Sequence, residues 1–218
     1  MSDFTIHGIP GSPYVRAALL GLEEKGLPYR VAALAFGEQK SPAYLARQPF
    51  GRIPAMDHGD FRLYETQAIL RYLERLFPEP PLVPAEPQKE ARMNQIAGIT
   101  DWYVMSDVSA GITFGRLVAP RFGLPVDETR ISACVPRAAI CIDELARLLG
   151  DQPFMAGDAV SIADLMLAPH LVMFAETPEG KPMFARHANL AAWAERMNGR
   201  PSMVNTTWER LASLQRAA

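Results

Sequence analysis

GRIPAMDHGDFRLYETQAIL, residues 51–70, has a proline at the head of an alternating run and closes on Glu-Thr before a helical pattern. Period-two alternation marks half-buried strands, and a glycine-bearing turn joins two of them into a hairpin. Residues 53–65 therefore read as two strands about His58-Gly59-Asp60, followed by an amphipathic helix over TQAILRYLERLF. Proline has no backbone N–H, so within a sheet it occupies an edge or a first position. If the Ile53–Pro54 bond is cis, the chain turns sharply and leaves the backbone of Ile53 for a ligand; if trans, Pro54 merely opens an edge strand.

Glu65-Thr66 stands where the second strand hands over to the helix. A helix N-terminus presents unpaired amides and partial positive charge. Glu65 can accept from a ligand ammonium while the Thr66 hydroxyl and amide take its carboxylate, which together read an α-amino acid head group. The plainer alternative is Thr66 as N-cap beside a first-turn charge.

Upstream, Phe4-Thr5-Ile6-His7 alternates as a first strand ended by GIPGSP. PYVRAALLGLEEKG follows as a helix, with Pro13 suited to the first turn and Gly26 as its stop. PYRVAAL is a second strand, and AFGEQKSPAYLARQPFG holds one helical turn around Pro42 to Leu45. The order β-α-β then β-β-α describes a small α/β domain over residues 1–78. Ser12, before Pro13 at the helix entrance, can donate to an anion beside the positive helix end and so stabilise a thiolate, or it can be an ordinary N-cap. It lies in no G-x-S-x-G elbow, so it is not a triad nucleophile.

Downstream, PEPPLVPAEPQ places five prolines between Pro78 and Pro87, which makes residues 79–87 an extended, semi-rigid linker. Beyond it the strand signals end. Residues 88–119, 127–149, 161–175, 188–198 and 202–215 read as helices of an all-α domain over 88–218. SIAD at 161–164 is a capping signature with a structural role.

The 218 residues carry a net charge of −2, so no basic field recruits nucleic acid or anionic lipid. Cys134 and Cys141 are seven apart, a spacing that fits two reduced core thiols and no zinc site. The four histidines show no ligand spacing, so no metal is expected. Neither a signal peptide nor a membrane-spanning run is visible, which points to the cytoplasm.

GSPYVRAALLGLEEKGLPY, GEQKSPAYLARQPFGRIPAMDHGDFRLYETQAILRYL and FMAGDAVSIADL together resemble the soluble glutathione S-transferase family, and most of all its serine-type bacterial and plant classes. The resemblance implies a thioredoxin-like first domain that binds glutathione and a helical second domain that supplies a hydrophobic substrate pocket. Ser12 falls at the activating hydroxyl, and Gln39 and Lys40 at the pair facing the glycine carboxylate. Ile53 precedes the family's cis-proline, Pro54, and its backbone should pair with the cysteinyl unit. Glu65 and Thr66 match the acid and hydroxyl that hold the γ-glutamyl head. Arg52 stands where glutamine or lysine is common, which keeps a donor and adds charge; Gln39 replaces a frequent histidine and Thr66 a commoner serine. The first strand has no tyrosine at the family's other activating position, and the Ser12 position has no cysteine, which argues against mixed-disulfide chemistry.

The implied activity is glutathione conjugation to a hydrophobic electrophile. Glutathione-dependent isomerase, dehalogenase or peroxidase action is the alternative, and a non-catalytic binding or regulatory role the second. Trp102, Tyr103, Met105 and Phe114 are candidates for the electrophile's apolar wall, with bundle core as the competing reading. Phe50 matches an aromatic that inserts into a partner subunit, so a homodimer is expected. Trp193 and Trp208 read as core.

Overall fold

Phe4, Ile6 and Gly8 are buried while Thr5 and His7 are only partly so, the period-two signature that makes β1 (Phe4–Gly8) a strand with one face on a core. A computed structural model describes residues 4–211. The chain divides into two compact units, Met1–Leu82 joined by Gly199–Ala218, and Val83–Asn198.

In the first unit β1 leads to α1 (Pro13–Glu24) and β2 (Tyr29–Ala33). Pro13 opens α1, and Gly26 closes it in a Schellman motif, with Leu27 N donating to Leu22 O (2.9 Å) and Gly26 N to Glu23 O (3.0 Å). A 3₁₀ turn (Glu38–Lys40) and α2 (Pro42–Leu45) precede β3 (Ala55–His58), β4 (Phe61–Tyr64) and α3 (Thr66–Leu76). The sheet order is β2-β1-β3-β4, with β1 and β2 parallel and the other pairings antiparallel. Phe4, Ile6 and Met56 from the sheet meet Val15, Leu19 and Leu22 of α1 and Ile69 and Leu73 of α3 in one buried cluster. Each such side chain contributes roughly 1.5–3 kcal/mol by leaving water.

Two features depart from the sequence-based expectation. The proline-rich segment is pinned to the first unit at its start. Lys25, its side chain buried, donates to Glu74 and to Pro80 O, and Leu82 N donates to Glu74 Oε2 at 3.1 Å. The units accordingly divide after Leu82, within the expected 79–87 linker. The expected helix over 202–215 is broken as well. The structure has α9 (Pro201–Asn205), a break at 206–207 and a further helical turn at 208–211; the rest of that expected helix lies outside the described residues. Thr206 Oγ1 donates to Ser202 O at 2.8 Å at the break. The segment from Gly199 groups with the first unit, because Arg200 donates to Glu24 (2.6 and 2.8 Å) and Asn205 to Glu23 (2.8 Å) on α1.

The second unit is helical: α4 (Pro87–Ile99), a wider π-type winding over Thr100–Val118, a 3₁₀ turn (Ala119–Phe122), α5 (Glu128–Leu149), α6 (Ile162–Ala175), α7 (Gly180–Ala185) and α8 (Ala188–Asn198). Residues 88–119 are thus helical as expected but change winding at Thr100. The SIAD capping box is present, and Asp164 is fully buried. Its carboxylate accepts from Met155 N (2.9 Å), Ser161 N (2.9 Å), Ser161 Oγ (2.8 Å) and Trp193 Nε1 (2.8 Å). Trp193 is core, as expected. Cys134 and Cys141 are buried free thiols, and burial pushes Cys141 up to about 11. Among the described residues no helix is long and apolar enough to cross a membrane.

Candidate active site

The strand register gathers four separate chain segments. Gly8 pairs with Ala33, His7 with Ala55, and Ala55 with Tyr64, so the end of β1, the end of β2, the start of β3 and the end of β4 share one edge of the sheet. Ser12 follows β1, Gln39 and Lys40 follow β2, Arg52, Ile53 and Pro54 precede β3, and Glu65 and Thr66 follow β4. The N-termini of α1 and α3 open at this same end, which directs two sets of unpaired amides and two positive dipole ends there.

Ser12 is held by a tight turn. Ser12 N donates to Ile9 O at 3.1 Å across Pro10-Gly11, and Gly11 has φ +90°. Proline second and a positive-φ glycine third define a type II turn, which GIPGSP encodes locally. Ser12 then occupies the N-cap position of α1, but its hydroxyl makes no capping bond. The N-cap alternative therefore accounts for its backbone and leaves the hydroxyl uncommitted among the described residues.

Gln39 and Lys40 meet the segment before β3 through Gly51. Gly51 has φ +60°, and a Cβ there would lie 2.8 Å from Lys40 Nζ and 3.1 Å from Gln39 O. Lys40 Nζ donates to Phe50 O at 3.5 Å. Gln39 Oε1 is buried and accepts no hydrogen bond from the described residues. Arg52 is exposed, and its backbone is fixed at both groups: Arg52 N donates to Gln48 Oε1 (3.0 Å), and Tyr44 Oη donates to Arg52 O (2.8 Å). Burial pushes the Tyr44 hydroxyl up to about 12, so it remains a donor throughout the physiological range. The Ile53–Pro54 bond is cis, and Ile53 lies two residues ahead of β3, outside the ladder.

Glu65 is an exposed N-cap of α3 with φ 71° and ψ 115°, the one described non-glycine residue at positive φ. A non-glycine backbone held in so sparsely populated a conformation costs about 1–3 kcal/mol. Thr66 is the first helical residue and is buried, so the N-cap position expected of it in the plainer reading is held by Glu65, whose side chain makes no capping bond.

Sequence reasoning missed Tyr44, Gln48 and Asp57, which hold this loop in place. Asp57 on β3 accepts from His7 Nε2 (2.8 Å) on β1, from Arg62 Nε (3.3 Å) on β4 and from Arg47 just after α2. Burial alone would raise the Asp57 carboxyl, but His7, Arg62 and Arg47 together hold it below its usual range. Burial pushes the His7 imidazole down despite the Asp57 contact. No local motif marks such a cluster, because sheet register and the packing of the segment after α2 bring its members together.

Trp102 and Tyr103 are 77% and 58% exposed on the π-type winding, Phe114 is exposed and Met105 half-buried, so Trp102 and Tyr103 are not bundle core. Phe50 is 65% exposed, with its ring edge to Tyr64 at 6.2 Å. Trp208 is half-buried, not core, and its ring lies against Gly11.

Residues 6–81 match the family described as "Glutathione S-transferase, N-terminal domain" and residues 129–196 that described as "Glutathione S-transferase, C-terminal domain". The chain is 30% identical over 208 residues to probable glutathione S-transferase GSTF1 of Oryza sativa subsp. japonica, covering 93% of this chain and 94% of that one. The chain belongs to the glutathione S-transferase family. Among solved glutathione S-transferases it is similar to the theta class enzyme of Xanthomonas axonopodis pv. citri, crystallised with glutathione bound. That likeness has 28% identity and TM-score 0.83 and covers 95% and 98% of the two chains. It is similar also to poplar glutathione transferase F1, at 27% identity and TM-score 0.83 over 100% of each chain. The α/β unit with its following helices is thus the glutathione S-transferase fold, and the enzyme class is transferase.

Proposed function

We propose that the strand-end cluster of the first unit binds glutathione and that Ser12 stabilises its thiolate for attack on a hydrophobic electrophile. The convergence of Ser12, Gln39-Lys40, Ile53-Pro54 and Glu65-Thr66 on one sheet edge carries this reading. Glutathione offers an ammonium and carboxylate at one end, a thiol in the middle and a second carboxylate at the other. In this reading Glu65 and Thr66 take the γ-glutamyl head, and the Ile53 backbone beside Pro54 pairs with the cysteinyl unit. Gln39, Lys40 and Arg52 face the glycine carboxylate. Lys40, which lies against Gly51, and the adjacent exposed cation Arg52 favour that assignment.

A free thiol near pKa ~8.5 is only a few per cent thiolate at neutral pH. The Ser12 hydroxyl and the α1 N-terminus both favour the anion. The thiolate sulfur then attacks an electrophilic carbon and forms a sulfur–carbon bond. The displaced electron pair leaves with a halide, or stays on an epoxide oxygen that takes up a proton.

Trp102, Tyr103, Met105 and Phe114 are assigned to the apolar body of the electrophile, and Phe50 to a second copy of the chain in a homodimer. The class assignment is serine-type and the compartment cytoplasmic. Calorimetry with glutathione tests the site, and a panel of aryl halides, epoxides and hydroperoxides tests the chemistry. Absence of saturable heat at millimolar glutathione would sink the reading.

A further inference from the structure

The described part of the first unit's C-terminal segment is tied along α1 and passes the Ser12 turn. Arg200 and Ser202 engage Glu24 near the end of α1. Arg16 in its first turn donates to Met203 O (2.6 Å) and to Thr206 Oγ1 (3.2 Å). Leu211 is 2% exposed in the cluster formed by Phe4, Ile6 and Val15. Between these anchors sits Trp208. A Cβ added to Gly11 would fall 2.1 Å from Trp208 Cε3 and 2.8 Å from Cζ3, so the Cε3 side of the indole ring lies close against the glycine.

Gly11 is the third residue of the turn that delivers Ser12. Among the described residues no side-chain bond holds the Ser12 hydroxyl, so its position follows the backbone of that turn. A glycine turn at positive φ has no side chain with which to brace itself. The indole supplies the bracing surface, and only glycine leaves room for it.

We propose that Trp208 is a positioning residue for the thiolate-stabilising hydroxyl: it packs on Gly11 and fixes the turn that places Ser12. The proposal rests on the reading of Ser12 as the thiolate donor. Trp208 acts through the backbone and need not touch glutathione. Displacement of a catalytic group by about 1 Å costs on the order of a hundredfold in rate, so a turn that is loosened without being destroyed should cost about tenfold.

The test compares wild type, Trp208→Ala, Trp208→Phe and Trp208→Leu. It uses glutathione calorimetry, ultraviolet titration of the bound thiolate and the pH profile of kcat/KM for an aryl halide. Expected for Trp208→Ala are a kcat about tenfold lower, a thiolate titration moved to higher pH and a glutathione Kd within about threefold of wild type. Trp208→Phe keeps a flat ring over Gly11 and should recover most of both effects. Trp208→Leu keeps apolar bulk without the ring, and should resemble alanine if the alanine variant does not fold. A wild-type thiolate titration preserved in a folded Trp208→Ala or Trp208→Leu protein would overturn the proposal, as would an equal loss in Trp208→Phe. Failure of wild type to bind glutathione would instead remove the underlying site assignment.

Discussion

Replacing Ser12 by alanine separates a catalytic hydroxyl from a structural cap. An N-cap serine normally costs ~1 kcal/mol on truncation because an amide of the first turn loses its acceptor. Here the hydroxyl makes no capping bond, so the expected stability loss is below about 0.5 kcal/mol, or less than about 2 °C in Tm for a chain of this size. Its loss in the glutathione complex is larger. A hydrogen bond to a charged group contributes about 1.5–3 kcal/mol, which corresponds to a rise of about 1–2 units in the thiol pKa. If the bound thiol titrates near ~6.5 in wild type, the thiolate fraction at pH 7 falls between about 3- and 25-fold. The sign follows: the variant's deficit is greatest below the wild-type thiol pKa and closes above that of the variant. Thermal unfolding, glutathione calorimetry and a pH series of kcat/KM read these effects separately. A Tm loss of several degrees, or equal losses of affinity and turnover at every pH, would refute the assignment.

Three other outcomes follow from the geometry. Glu65→Gly should raise stability by about 1 kcal/mol, since glycine accepts φ 71° freely, while abolishing retention on immobilised glutathione; loss of both stability and retention would contradict the strain argument. Asp164→Ala leaves four donors without their buried acceptor and should destabilise the helical unit by more than about 3 kcal/mol in urea titrations followed through Trp193 fluorescence. His170 is fully buried, contacts Ser109 Oγ at 2.6 Å, and is pushed by burial down to about 3. Because the unfolded chain protonates it near pH 6.5 and the folded chain does not, its contribution is present above that pH. It is lost as the pH falls, by at most about 1.4 kcal/mol per pH unit. Stability curves from pH 7 to 4.5 should therefore be shallower for His170→Gln, and unchanged slopes would count against this group.

Much of the site was legible because its parts are local. The Pro-Gly pair at residues 10–11 specifies a turn, Pro13 and Gly26 bound a helix, and Asp164 three residues after Ser161 specifies a cap. Each needs only neighbours within one or two turns, so the amino-acid order alone sets the geometry. The resemblance then supplied roles for residues that the pattern had only placed. What could not be read was pairing across long separations. Asp57 meets His7 50 residues away through the β1–β3 pairing and Arg47 10 residues away through the loop after α2, and no periodicity announces either contact.

Strand alternation, caps and turn residues thus determined the elements and their order, since backbone propensity and amphipathic period act over a few residues. Only the tertiary structure decided that residues 199–211 return to the first unit, that Trp208 lies against Gly11, and that the Ser12 hydroxyl makes no capping bond. The reason is physical. Arg16 reaches Met203 and Thr206 across 187 and 190 residues, and contacts at that range depend on how distant segments of one unit pack, which local chemistry does not encode.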